Sequence, residues 1–166
     1  TMRNVMRLVK MHGIGNDYVF VNCFEQSVAN PQALAVAIAD RHRGIGGDGL
    51  ILVMPPEDAT RAHVRMRMFN ADGSEAEMCG NGIRCVCKLA HDDGLSTANP
   101  MNVQTNNGVL SLRYTNSSGG RVERVCVDMG KPVLDPTRIP VKIDGVPRIV
   151  NHSTSRLIQW PGAPDT

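Results

Sequence analysis

The sequence is short of the features that would place it in several broad classes. Aromatic residues make up 4% of the 166 residues, with one tryptophan, two tyrosines and three phenylalanines. That is too few for the stacking platforms that hold single-stranded nucleic acid. Neither sign of charge dominates, since 18 Lys and Arg stand against 16 Asp and Glu for a formal net charge of +2. The basic footprint of a nucleic-acid binder is therefore missing. No run comes near the roughly 18 apolar residues that cross a bilayer, and Thr1 to Lys10 lacks the apolar core of a secretion signal. Five cysteines is an odd number, which argues against a disulfide framework and for reduced thiols. These absences predict a cytoplasmic protein with no nucleic-acid or membrane partner. What is present, 42% apolar and 20% charged residues, is enough for a packed core.

Along the chain, short strand-like segments alternate with glycine-rich turns. Val5 to Gly13 and Tyr18 to Phe24 read as strands around the loop Gly13–Asp17, which is dense in residues that tolerate positive φ. Pro31 to His42 reads as a helix, with Asn30 as N-cap, Pro31 at the first helical position and Leu34, Ala37 and Ile38 as its apolar stripe. Leu50 to Met54 is a short apolar strand ended by Pro55 and Pro56. His63 to Phe69 alternates with period two, Val64, Met66 and Met68 pointing one way and Arg65 and Arg67 the other. From Gly80 to His91 the period changes: Ile83, Val86, Cys87 and Ala90 recur at helical spacing, with Gly94 as the stop. Met101–Asn106 and Val109–Tyr114 form a strand pair turned at Asn106-Asn107-Gly108, and Val122 to Met129 alternates again. The fold class is α+β, mostly antiparallel strands with one embedded helix.

Two stretches invite a chemical reading. Gly44-x-Gly46-x-x-Gly49 has the letters of a dinucleotide fingerprint in the reverse context, because a helix precedes it and a strand follows. A tight helix-to-strand turn, with Gly49 as a possible pocket turn, is the reading kept. Cys79-Gly80-Asn81-Gly82 stands at the start of the Gly80–His91 helix. Free N–H groups at a helix start carry partial positive charge, which favours the thiolate of a cysteine placed there and can hold a carboxylate. Gly80 and Gly82 let another molecule approach the backbone closely. A buried structural cysteine beside a glycine turn fits the same letters. Cys79, Cys85 and Cys87 have the wrong helical spacing for a shared metal ion. Cys85, Cys87, Cys23 and Cys126 read as packing residues, Asp72 and Glu77 as shapers of their turn, and His12 as a histidine placed to act beside the glycine loop.

Three stretches, in order and spacing, resemble the N-terminal half of diaminopimelate epimerase: Met11–Tyr18 (MHGIGNDY), Asp40–Ile51 (DRHRGIGGDGLI) and Phe69–Cys85 (FNADGSEAEMCGNGIRC). The resemblance runs from about Val5 to Asp128 and extends, more distantly, to proline racemases. It implies a curved, mostly antiparallel sheet wrapped around a central helix, here Gly80 to His91. It implies interconversion of LL- and meso-diaminopimelate on the way to lysine, with no pyridoxal phosphate, metal or other cofactor. Two cysteines then face each other across a cleft between two similar domains and move the α-proton. Carried over by position, Cys79 matches the catalytic cysteine of the first domain. Gly80 and Asn81 match contacts to the substrate carboxylate, and Asn16 and Asn70 match asparagines that bind its polar groups. Gly49 stands where some members have a substrate-binding glutamine.

The family's second half carries a cysteine in a Cys-Gly-Thr-Gly-like stretch after a Glu-Arg pair, and no such cysteine stretch follows the first one in these 166 residues. The expected organisation is an N-terminal epimerase domain over 1–117 and an incomplete start of a second domain over 118–166, with a tail from about Asn151 that does not resemble the family. The expected partner is a small-molecule amino acid, diaminopimelate. The expected activity is an isomerase with half its site in this chain, completed by a missing second domain or by a homodimer that brings two Cys79 side chains together. The alternative is a half-domain that binds without epimerising.

Overall fold

A computed structural model describes residues 5–133 of the chain. Among them are eight strands and two helices: β1 (Val9–Gly13), β2 (Asn16–Asn22), α1 (Pro31–Ala39), β3 (Gly49–Met54), β4 (Val64–Asn70), β5 (Glu75–Ala76), α2 (Gly80–Asp92), β6 (Met101–Thr105), β7 (Gly108–Asn116) and β8 (Val122–Val127). The strands form one sheet in the order β1-β2-β3-β4-β6-β7-β8, with β5 pairing β4. β2 runs parallel to β3 and β4 parallel to β6, and the other pairings are antiparallel. The sheet is thus mixed but mostly antiparallel, as the α+β reading requires.

The sheet curls around α2, which touches β1 and β8 at its two edges as well as β2, β3, β4 and β6. The helix can be enclosed because its apolar residues fill most of its circumference. Ile83, Val86, Cys87 and Ala90, the expected stripe, are fully buried, and Cys85 and Leu89 join them. Against them pack Tyr18 and Phe20 of β2, Ile51 and Val53 of β3, and Val64, Met66 and Met68 of β4. The opposite face of the sheet is closed by α1, whose Ala35 and Ile38 pack on Val19, Val21, Leu50, Leu52 and Phe69. β3 therefore lies between two helices, and its uninterrupted apolar run follows from burial on both faces. Each fully buried Ile, Leu or Phe contributes about 1.5–3 kcal/mol relative to exposure.

The differences from expectation have local causes. β1 begins at Val9 instead of Val5, because the Gln26 side chain takes both backbone groups of Arg7, at 2.7 and 3.1 Å, before the ladder starts. α1 ends at Ala39 instead of His42, because Asp40 Oδ1 accepts the N–H groups of His42 and Arg43 at 2.8 and 3.0 Å and draws the chain out of the helix. Its buried face is Pro31, Ala35, Ile38 and Ala39, so Ala37 of the expected stripe is exposed. Cys126, read as a packing residue, is exposed on β8, since Val125 and Val127 take the core-facing positions.

The expected boundary after residue 117 falls inside the first compact unit, which runs to Met129. β8 pairs along β7, and its Val122 is bonded by both backbone groups to α2: the N–H donates to Asp92 at 3.0 Å and the carbonyl accepts from Lys88 at 2.7 Å. β8 thereby closes the same core as the strands before it. The tail from Asn151 lies outside the described residues. Among the described residues, no helix is long and apolar enough to cross a membrane.

Candidate active site

One end of the sheet gathers the residues singled out in the sequence. The parallel strands β2 and β3 both start there, at Asn16 and Gly49, β1 and β4 both end there, at Gly13 and Asn70, and α2 begins there. Side chains alternate along a strand, so Asn16 shares a face with Tyr18 and Phe20, and Asn70 with Met66 and Met68; that face is the one α2 packs on. Close packing holds the helix start in place. A Cβ on Gly13 would lie 2.8 Å from the Asn81 carbonyl oxygen, and a Cβ on Gly82 would lie 2.6 Å from Ile51 Cδ1. Both glycines are required by contact, the first between hairpin and helix, the second between helix and sheet.

Cys79 is the N-cap of α2 and is half-buried. Its sulfur accepts the Gly82 N–H at 3.3 Å, and its carbonyl accepts the Ile83 N–H at 2.9 Å. The N–H groups of Gly80 and Asn81 donate to nothing among the described residues, as helix geometry leaves them unless something outside the helix accepts. Beside Gly80 the space is open: a Cβ there would meet only the Met129 side chain, at 3.7 Å. The helix start therefore presents a sulfur and two donors of partial positive charge side by side, the pattern that receives an anion.

Around it stand the asparagines. Asn16 has its Oδ1 buried with no hydrogen-bond donor among the described residues. Asn70 donates from Nδ2 to Ser74 Oγ at 3.0 Å, within a turn that Asp72 shapes by accepting the Ser74 N–H and hydroxyl at 2.9 and 2.6 Å. Asn81 accepts at Oδ1 from Arg84 at 2.7 Å. Gly49 carries a different meaning from the one expected. It is the first residue of β3, and a Cβ on it would fall 2.0 Å from the Phe69 carbonyl oxygen. A glutamine has no room there, and Gly49 serves as a close backbone crossing rather than a pocket turn.

Two residues at the site were not singled out in the sequence. Tyr18 is buried, and its hydroxyl lies against both Cys79 and the Asn16 side chain. Burial, and then the charge of a Cys79 thiolate and of Asp48, push its hydroxyl up to about 12, so it is a neutral donor at working pH. The signal that could have found it is its phase in β2, two residues from Asn16. Arg84, half-buried at the polar edge of α2, could have been found from its position one turn beyond Asn81.

Other candidates fall elsewhere. His12 is exposed, and its Nδ1 accepts the Gly15 N–H at 3.4 Å. It borders a cavity of about 560 Å3 lined also by Lys10, Met11, Gly15, Asp17 and Arg41. Both cations there are held by Asp17, at 3.2 Å for Lys10 and 2.6 Å for Arg41, and Arg41 above all keeps the Asp17 carboxyl well below the usual range. The glycine loop spends its amides on the end of α1, Gly44, Gly46 and Gly47 donating to Asp40, Ile38 and Ala39 at 2.9, 2.8 and 3.2 Å. No phosphate cradle is left. All five cysteines are free, and burial pushes the Cys87 thiol up to about 12 and those of Cys85 and Cys23 upward, as structural thiols. Among the described residues no cluster of three His, Cys, Asp or Glu could hold a metal ion.

The family model for diaminopimelate epimerase matches residues 8–134. The diaminopimelate epimerase of Acetivibrio thermocellus is 54% identical over 139 residues, which cover 84% of this chain and 48% of the relative. That of Desulfovibrio desulfuricans is 50% identical over 140 residues, covering 84% and 47%. That of Methanococcus maripaludis is 43% identical over 151 residues, covering 91% and 53%. The chain spans about half the length of these curated relatives. Among solved structures, a probable proline racemase from Agrobacterium radiobacter K84 with bound carbonate superposes with a TM-score of 0.58 at 17% identity, covering 73% of this chain and 40% of that one. A methylitaconate-delta-isomerase superposes with a TM-score of 0.57 at 17% identity, covering 70% and 36%. These two share the fold. By the match over residues 8–134, with the cysteine-capped helix inside it, the chain belongs to the diaminopimelate epimerase family.

Proposed function

We propose that this chain supplies one side of a cofactor-independent epimerase site that interconverts LL- and meso-2,6-diaminopimelate, a step of lysine biosynthesis. Cys79 is the acid/base on one face of the α-carbon. The observation that carries this is a half-buried sulfur beside two N–H groups, at the start of α2, that have no partner among the described residues. An α-proton next to a carboxylate and an ammonium is very weakly acidic, so the carbanion needs fixed positive charge nearby. With the substrate carboxylate on the Gly80 and Asn81 N–H groups, the Cys79 thiolate takes the α-proton and becomes a thiol. The electron pair stays on the α-carbon, spread into the carboxylate. A second thiol, from the other half of the full-length site, gives its proton to the opposite face and becomes a thiolate, which inverts the centre. Acid and base on opposite faces make inversion possible where a single base returns the proton to its own side. Asn16, with its buried free acceptor, and Asn70 take the ammonium and other polar groups.

The test is deuterium incorporation at the α-carbon of diaminopimelate in D2O, alongside alkylation of Cys79. The chain alone is expected to protect Cys79 when diaminopimelate is present and to exchange the α-proton without inverting the centre, with both effects lost in Cys79→Ala. Exchange that persists in Cys79→Ala overturns the assignment. Protection without any exchange would mark the chain as a binding half that needs its partner for chemistry.

A further inference from the structure

Arg84 lies one turn into α2 in the polar stripe formed by Asn81, Arg84 and Lys88, half-buried among otherwise sealed positions. Its Nη2 donates to Asn81 Oδ1 at 2.7 Å. No carboxylate pairs with it among the described residues, although Lys10, Arg41, Arg65, Arg67 and Lys88 all have one. A guanidinium only donates, so its partner on an asparagine must be the oxygen. This decides which way the Asn81 amide points, an orientation otherwise ambiguous by shape alone. The other side of Asn81 is fixed as well, since Gly13 lies against its Cβ and carbonyl so closely that a Cβ on Gly13 would sit 3.2 and 2.8 Å from them. With Oδ1 taken and the stem wedged, the Nδ2 group remains, two N–H donors with no partner among the described residues.

We propose that Arg84 is a positioning residue which holds the Asn81 amide so that its two side-chain N–H bonds face a carboxylate bound at the start of α2. The role rests on the functional reading above for the identity of that carboxylate, but not for the orientation itself. The guanidinium also leaves an uncancelled positive charge one turn from the bound anion. Lysine would supply the charge without the planar fork that reaches an amide oxygen while lying along the helix. Arg84 thus acts through Asn81 and need not touch the substrate.

The experiment uses the chain with Arg84→Met, Arg84→Lys and Asn81→Asp. The first readout is the side-chain amide signal of Asn81 in the 15N spectrum without ligand, identified by its disappearance in Asn81→Asp. The second is the affinity for diaminopimelate. Loss of the guanidinium is expected to move the ligand-free amide signal and weaken affinity roughly tenfold, as for a hydrogen bond to a charged group. Arg84→Lys should recover part of the affinity without restoring the signal. Asn81→Asp keeps a partner for Arg84 yet offers an oxygen where the ligand needs a donor, so affinity should fall at least as far while the melting temperature holds or rises. An Asn81 signal that stays in place in Arg84→Met overturns the proposal, and so does an affinity that falls less than about twofold while the signal moves. A parent chain that takes no diaminopimelate counts against the functional reading. The ligand-free signal then still decides whether Arg84 holds Asn81.

Discussion

At the start of α1, Asn30 Oδ1 accepts the Ala33 N–H at 3.0 Å, and Pro31 at the first helical position has no N–H to satisfy. At the start of α2, the cap is a sulfur, a weak acceptor, at 3.3 Å from the Gly82 nitrogen, and the next two N–H groups have no partner among the described residues. The two helices pack on opposite faces of one sheet. The first is closed by the residues that cap helices best. The second begins with glycines that weaken a helix by about 1 kcal/mol each and a poor cap. The difference shows where local stability was given up, and the place is where a ligand would complete the hydrogen bonding.

Converting the second start into the first is the sharpest way to break this comparison. Cys79→Ser gives α2 a true cap, and its stability against urea should hold or rise by up to about 1 kcal/mol. Exchange of the diaminopimelate α-proton should fall by about 10²–10⁴, the worth of a placed base. A serine variant that exchanges at the parental rate would remove the base from Cys79. Next in size is the pair of glycines. Gly82→Ala drives a Cβ to 2.6 Å from Ile51 and should cost about 1–3 kcal/mol in urea titration. Gly80→Ala meets only Met129 at 3.7 Å, so its stability should stay within about 0.5 kcal/mol while ligand affinity drops. Equal costs at the two positions would contradict an open space beside Gly80.

On the other helix, Asn30→Ala should cost about 1 kcal/mol and leave the alkylation rate of Cys79 unchanged. A changed rate would mean that the two helix starts are coupled. The smallest expected effect is at high pH. Tyr18 titrates at about 12 in the fold against 10.0 outside it. Its raised value means that its contribution is complete below pH 10 and is lost as pH rises toward 12. Cys87, also raised to about 12, loses its contribution from pH 9 upward in every variant. Tyr18→Phe should therefore soften, without abolishing, the alkaline loss of stability followed by thermal melts between pH 9 and 12. An alkaline profile identical to the parent would separate the Tyr18 hydroxyl from the site.

The caps themselves were legible in the sequence. Asn30-Pro31 and Cys79-Gly80 each announce a helix start by local chemistry, and both were found where expected. The stripe Ile83, Val86, Cys87 and Ala90 was legible because helical spacing writes burial into the letters. The residues that arrive from other elements were not. Tyr18 looks like any aromatic strand residue until β2 is laid beside α2. The exposure of Cys126 follows from which way β8 faces, and β8's membership in the first unit follows from Asp92 and Lys88 reaching Val122. The hairpin tip is a further case. A glycine-dense loop was expected to use positive φ, and Gly15 does at 84°, but so does the exposed, β-branched Ile14 at 54°. That conformation comes from the two-residue turn that the paired strands demand, not from any preference of isoleucine.

By itself the sequence determined the period of each element, the two helix starts and the place of one thiol among small residues, because these depend on neighbours within a turn or two along the chain. Only the tertiary structure decided that Asn16, Tyr18, Gly49, Asn70 and Cys79 meet at one end of the sheet. It also decided that Gly49 has no room for a side chain. Those outcomes depend on strand order and on which face each strand turns toward α2, and distance along the chain encodes neither.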